Sequence, residues 1–90
     1  MRTIWKYPIH MIQGPDFYGI DIPQDSRVVH VGRDPESGMP CLWMEVNTES
    51  PRVVKNFWVK GTGWGIQEDL VYIGSAICGE FVWHIYERNW

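Results

Sequence analysis

The stretch Arg27-Val28-Val29-His30-Val31-Gly32-Arg33, then Asp34-Pro35-Glu36-Ser37-Gly38, then Cys41-Leu42-Trp43-Met44-Glu45-Val46 decides how the chain is read. Two runs rich in β-branched and apolar residues flank five residues that favour a turn, which is the composition of a β-hairpin. Closing it on those five residues brings His30 opposite Cys41 or Leu42. The same period-two pattern continues outward in both directions. Towards the start, residues 17–22 place Tyr18, Ile20 and Ile22 on one face and Asp21 on the other, and Pro23-Gln24-Asp25-Ser26 forms the turn before the hairpin. Residues 2–7 place Thr3, Trp5 and Tyr7 together, and Pro8 ends that ladder because it has no N–H to donate. Residues 10–14 fit an extended segment or a single helical turn, and Gly14-Pro15-Asp16 reads as a turn.

Beyond the hairpin, Asn47-Thr48-Glu49-Ser50-Pro51 is a polar loop, and residues 52–60 form the longest strand. Val53, Phe57 and Val59 share one of its faces, and Val54 and Trp58 share the other. Lys55 interrupts the apolar face, as a residue on an edge or near a strand end does. Residues 70–77 and 81–88 are two further strands around the tight turn Cys78-Gly79-Glu80. In the last of them Phe81, Trp83 and Ile85 alternate with Val82, His84 and Tyr86. No segment of helical length holds a 3.6-residue period. The expected fold is all-β or β-rich: one domain over residues 1–90, a small antiparallel sandwich or partly open barrel of six to seven strands.

Composition excludes several classes. Hydrophobic residues make up 44% of the chain, too many for a disordered segment. A net charge of −3 argues against a phosphate-backbone binder, and direct nucleic-acid binding is not expected. No apolar run approaches the ~20 residues of a membrane-spanning helix, and no signal peptide opens the chain, so a reducing cytoplasm is the expected compartment. In that setting Cys41 and Cys78, both in apolar strand contexts, are expected to be reduced and poorly reactive. Six tryptophans, four tyrosines and three phenylalanines exceed what so small a core hides. Some must reach the surface, where aromatic side chains mark binding sites, and open sheet edges point to a homo-oligomer.

Three arrangements bear on chemistry. The first is Gly61-Thr62-Gly63-Trp64-Gly65. Its glycines expose backbone N–H groups, Lys60 adds a cation, and Trp58 and Trp64 offer faces on which a flat ring can stack. Trp58, Lys60, Gly61, Gly63, Trp64 and Gly65 are therefore the candidate ligand- or partner-binding residues, a nucleotide being the small molecule they suit. The competing reading is a glycine turn with an aromatic packed over it, since neither a dinucleotide fingerprint nor a Walker loop is present. The second is the histidines: His10, His30 and His84 lack the paired spacing of metal ligands, so no metal or cofactor is expected, and His84 reads as a hydrogen-bonded side chain on a sheet face. The third is the acids. Glu45, Glu49, Glu68 and Asp69 fall in no pattern that sets two carboxylates at a working distance, and Glu68-Asp69 reads as a solvated turn. With Cys41 in a core strand, no catalytic residue stands out, and the chain is not expected to be an enzyme.

Four segments taken in order, Ile4-Trp5-Lys6-Tyr7-Pro8, Pro40-Cys41-Leu42-Trp43, Gly61-Thr62-Gly63 and Val82-Trp83-His84-Ile85-Tyr86-Glu87, resemble a family of short bacteriophage-borne proteins of unknown function. The likeness covers nearly the whole chain. It departs at Trp64, where histidine is common in that family, and in the tail Arg88-Asn89-Trp90. It implies a non-enzymatic phage accessory protein in the host bacterial cytoplasm that binds and inhibits a host protein, such as a component of antiviral defence. The alternatives are a sponge that sequesters a nucleotide signal on the 61–65 loop, and a virion or assembly protein. The family supplies no catalytic residue to carry over.

Overall fold

Seven strands account for most of the chain: β1 (Arg2–Pro8), β2 (Phe17–Pro23), β3 (Arg27–Arg33), β4 (Pro40–Asn47), β5 (Arg52–Gly61), β6 (Leu70–Cys78) and β7 (Phe81–Arg88). They are seen in a computed structural model that describes residues 1–11 and 17–88. The turn expected at Gly14-Pro15-Asp16, most of the ambiguous 10–14 segment, and the tail residues Asn89 and Trp90 lie outside the described residues. The strands pair in two sheets, in the orders β1-β4-β3 and β2-β5-β7-β6, and every pairing is antiparallel. The result is a small β-sandwich and not a closed barrel.

The β3–β4 hairpin forms as expected, with a different register. Arg33 pairs with Pro40, so His30 lies opposite Trp43, not Cys41 or Leu42, and the two rings touch at 5.2 Å between centroids. The loop is the cause. The Asp34 N–H donates to the Met39 carbonyl and the Gly38 N–H donates back to the Asp34 carbonyl, so pairing starts one residue further along β4. A bulge between Val28 and His30 absorbs the difference, and beyond it Val28 faces Met44.

Alternation places the core. Ile22 from β2, Leu42, Met44 and Val46 from β4, Phe57 and Val59 from β5 and Ile85 from β7 meet between the sheets with Ile9, each almost wholly buried. Trp5, Tyr7, Tyr18, Ile20, Val28, Val31, Ile73 and Trp83 close around them. Lys55 is not on an edge: β5 lies between β2 and β7, and Lys55 sits on the core face where the sandwich opens, with its Nζ 2.8 Å from Glu87 Oε2. The interior of the sheet tolerates this cation because it has a carboxylate partner and remains partly solvated.

Two local devices hold the sheets. The first is Asp34, only 1% exposed. Its carboxylate accepts hydrogen bonds from the Ser37 hydroxyl at 2.8 Å, the Glu36 N–H at 3.2 Å and Lys6 Nζ at 3.1 Å, which ties the hairpin loop to β1. These donors, the Ser37 hydroxyl first, outweigh burial and lower its pKa to about 2. The second is the seam between sheets, where edge strands β3 and β6 meet through side chains. A Cβ on Gly74 would lie 2.6 Å from Val31 Cβ, so only glycine admits this approach.

Two outcomes follow. Gly74→Ala should destabilise the fold by about 1–3 kcal/mol, the usual effect of overpacking, measured by urea denaturation. Val31→Ala should cost less in the Gly74→Ala background than alone, because the two positions share one space. For Asp34, the folded pKa lies below the ordinary carboxyl value of 3.8, so its contribution is complete above that value and is lost as pH falls through about 2. Asp34→Asn should lower stability at pH 6 and flatten the fall in stability between pH 4 and pH 2, read from melting temperature against pH.

Candidate functional site

The end of β5 and the loop that follows decide where the candidate residues go. Along β5 the side chains alternate, and β7 matches them pair by pair: Trp58 with Tyr86, Val59 with Ile85, Lys60 with His84, Gly61 with Trp83. Trp58 and Lys60 therefore leave the sheet on its outer face. Gly61 opens toward the face that carries Trp83 and, further along the same strand, the core residue Ile85. The six residues expected to form one site are divided between the two sides of a sheet.

On the Trp83 side, the Trp64 N–H donates to the Gly61 carbonyl at 3.1 Å, closing a turn whose third residue, Gly63, has φ 91°. That left-handed angle is the one a type II turn demands of glycine. The turn lays the Trp64 indole over Gly61, where a Cβ would come within 2.8 Å of Trp64 Cε2. Gly61 itself has no positive φ; glycine is required there by the indole above it. Trp64 meets Trp83 edge to face, with ring centroids 5.7 Å apart at 73°, yet remains 51% exposed. Phe81 stacks nearly parallel on Trp83, 17° apart in plane, and is 61% exposed. Gly79 and Glu80 make the two-residue turn between β6 and β7, which puts Glu80 beside these rings. Together they line a groove of about 310 Å³. Gly65 is exposed and open to solvent.

The outer face carries a different arrangement. Lys60 is only 4% exposed, so it is not the surface cation beside the loop that the sequence suggested. Trp58 is also buried, with Arg88 stacked on its ring at 4.8 Å and Phe17 tilted against it at 6.0 Å. Next to Lys60, both ring nitrogens of His84 have hydroxyl partners: Ser75 Oγ at 2.8 Å from Nδ1 and Thr62 Oγ1 at 3.0 Å from Nε2. Tyr72 extends the chain, its hydroxyl 2.6 Å from Ser75 Oγ. His84 is thus a hydrogen-bonded histidine on a sheet face. Among the described residues no carboxylate joins this chain of hydroxyls.

The remaining chemistry is quiet. Both cysteines are free thiols. Burial, with the Asp34 carboxylate adding to it, pushes the Cys41 thiol up to about 11, and burial raises Cys78 as well, which keeps both from the reactive thiolate form at neutral pH. Glu68 and Asp69 are exposed as expected, and Asp69 pairs with Arg88 at 2.8 Å. Among the described residues no three His, Cys, Asp or Glu side chains gather as metal ligands, and no helix is long and apolar enough to cross a membrane.

Reading the sequence missed Phe81 and Glu80 as members of the site, and Asp34 as a buried carboxylate. The signal for the first was present: Phe81 shares a strand face with Trp83, and only the pairing of Trp83 with Gly61 was needed to bring Trp64 beside them. No curated protein and no solved structure matches the chain. The family model that matches, described as Domain of unknown function (DUF7352), covers residues 1–90, and the chain belongs to that family.

Proposed function

We propose that the chain is a non-enzymatic binding protein that docks a protein partner on the Trp64–Trp83–Phe81 surface. In line with the resemblance of its motifs, we place it as a phage accessory protein that inhibits a host protein in the bacterial cytoplasm. The observation that carries the proposal is the state of Trp64. The indole is half exposed, yet it is fixed by Gly61 beneath it and Trp83 at its edge. An exposed aromatic held in one position offers a large contact area and loses little freedom on binding, which is the character of an interface hot spot. The proposal extends to a symmetric homo-oligomer, because β1 and β2 each pair on one side alone among the described strands and leave the other edge open.

The nucleotide reading has less support. It needs Lys60 and Trp58 beside Trp64, and both are buried on the opposite face of β5. Nucleotides and cyclic nucleotides should leave the melting temperature unchanged.

The test uses one variant and two readouts. Trp64→Ala should lower stability by well under the roughly 3–5 kcal/mol that truncating a buried aromatic costs, as measured by urea denaturation. The same variant, immobilised and exposed to bacterial lysate, should lose the single stoichiometric protein that the unaltered chain retains. Equal retention by both, or no retention by either, rejects the proposed surface; a large loss of stability shows Trp64 to be a packing residue instead.

A further inference from the structure

We infer that the Trp64–Trp83–Phe81 groove receives the guanidinium of an arginine carried by the protein partner, with Glu80 as its counter-charge. The inference rests on the binding reading above and names the chemistry of its partner. Among the described residues Glu80 is the only charged one lining the groove, it is exposed, and no ion pair or hydrogen bond of theirs engages it. Around it lie two half-exposed rings, Trp64 laid over Gly61 and Phe81 stacked on Trp83. An anionic group beside exposed aromatic faces attracts a cation with a flat, weakly hydrated body, and guanidinium stacks on a ring while its N–H groups reach a carboxylate.

The protein uses this combination elsewhere with its own arginine. On the outer face Arg88 stacks over Trp58 at 4.8 Å while its Nε lies 2.8 Å from Asp69 Oδ2. That cluster has three parts: an indole, a carboxylate and a guanidinium between them. The groove has the indole and the carboxylate but no cation among its lining residues. The chain's net charge of −3 further favours a basic partner segment over an acidic one.

The experiment titrates the whole protein with acetyl-Gly-Arg-Gly-amide and follows the indole N–H resonances of Trp64 and Trp83 by NMR. The control is the citrulline peptide, which has nearly the same shape and no charge. The expected result is a saturable shift of both resonances by the arginine peptide, at least fivefold weaker binding of the citrulline peptide, and weakening by Glu80→Gln. Glu80 lies in an exposed turn, so this variant keeps the fold, and unchanged dispersion of the remaining resonances verifies that. Equal binding of the two peptides, no effect of Glu80→Gln, or no saturable shift overturns the inference. Saturation by tetramethylammonium but not by the arginine peptide also overturns it, in favour of a small quaternary ammonium ligand. A partner lost on Trp64→Ala without arginine-peptide binding would reject the arginine while leaving the binding surface intact. Arginine-peptide binding without such a partner would do the reverse.

Discussion

The pairing of β5 with β7 determines which side chains of the second sheet enter the sandwich and which face out. Its register sets Phe57 against Glu87, Val59 against Ile85 and Gly61 against Trp83 on one side, and Trp58 against Tyr86 and Lys60 against His84 on the other. Side chains alternate along a regular ladder, so a shift of one residue would put Phe57 and Val59 on the opposite face from Ile85 and split the core between the two sides of the sheet. The aromatic groove exists because the same ladder runs past the end of the core. There Gly61 and Trp83 continue the inward face where little covers it, and the turn after β5 folds Trp64 back to pack on them.

The rest of the molecule keeps that sheet in place against the smaller one. A three-stranded sheet laid on a four-stranded one leaves a mismatch, and the chain handles it at the β3–β6 seam by removing a side chain: Gly74 lets Val31 approach within a distance no Cβ would allow. At the far end of β3, Asp34 fixes the hairpin loop to β1 through Ser37 and Lys6. A buried carboxylate is stable only when its hydrogen-bonding capacity is used, and this one has three donors. Neither device touches the groove. The Gly74 seam and the Asp34 loop are therefore independent of the groove, although Trp83 joins the groove to the core it packs against.

The strands were legible in the sequence because alternation is a local signal. Each expected segment matches an observed strand to within about a residue at either end, and Phe81, Trp83 and Ile85 share one face of β7 as the alternation implies. What was not legible is non-local. The position of His30 depends on where the 34–39 loop closes, and that is set by two backbone hydrogen bonds of Asp34 and Met39, not by the strands. Lys55 reads as a residue on an edge or near a strand end because a lysine on an apolar face usually is one; its partner Glu87 lies 32 positions away and only the fold reveals it. Lys60 and Trp64 are close in sequence, but Lys60 and Gly61 look to opposite sides of β5, and the turn after β5 folds Trp64 onto the Gly61 side. Alternation separates Lys60 from Gly61; which of the two Trp64 joins is set by the hydrogen bond that closes the turn from Gly61 to Trp64.

The same alternation explains why Phe81 and Trp83 come together at one end of the sandwich, while the exposed rings of Phe17 and Tyr72 lie elsewhere, against Trp58 and Tyr86. Inward positions beyond the covered part of a sheet remain apolar in pattern but meet solvent, so Phe81 and Trp83 emerge side by side at the end of β7. Left alone, two such rings would be a modest hydrophobic patch and a hazard for self-association. Trp64, arriving from a separate turn, changes its character. Its ring stands at 73° to Trp83, which gives the patch a wall as well as a floor, and Glu80 at the hairpin tip gives it a charge. A flat apolar patch accepts any apolar surface. A walled one with an uncompensated carboxylate discriminates, because a neutral or anionic group placed there would desolvate Glu80 without replacing the lost water contacts. In the proposed docking site, specificity therefore rests on the acid, and affinity on the rings.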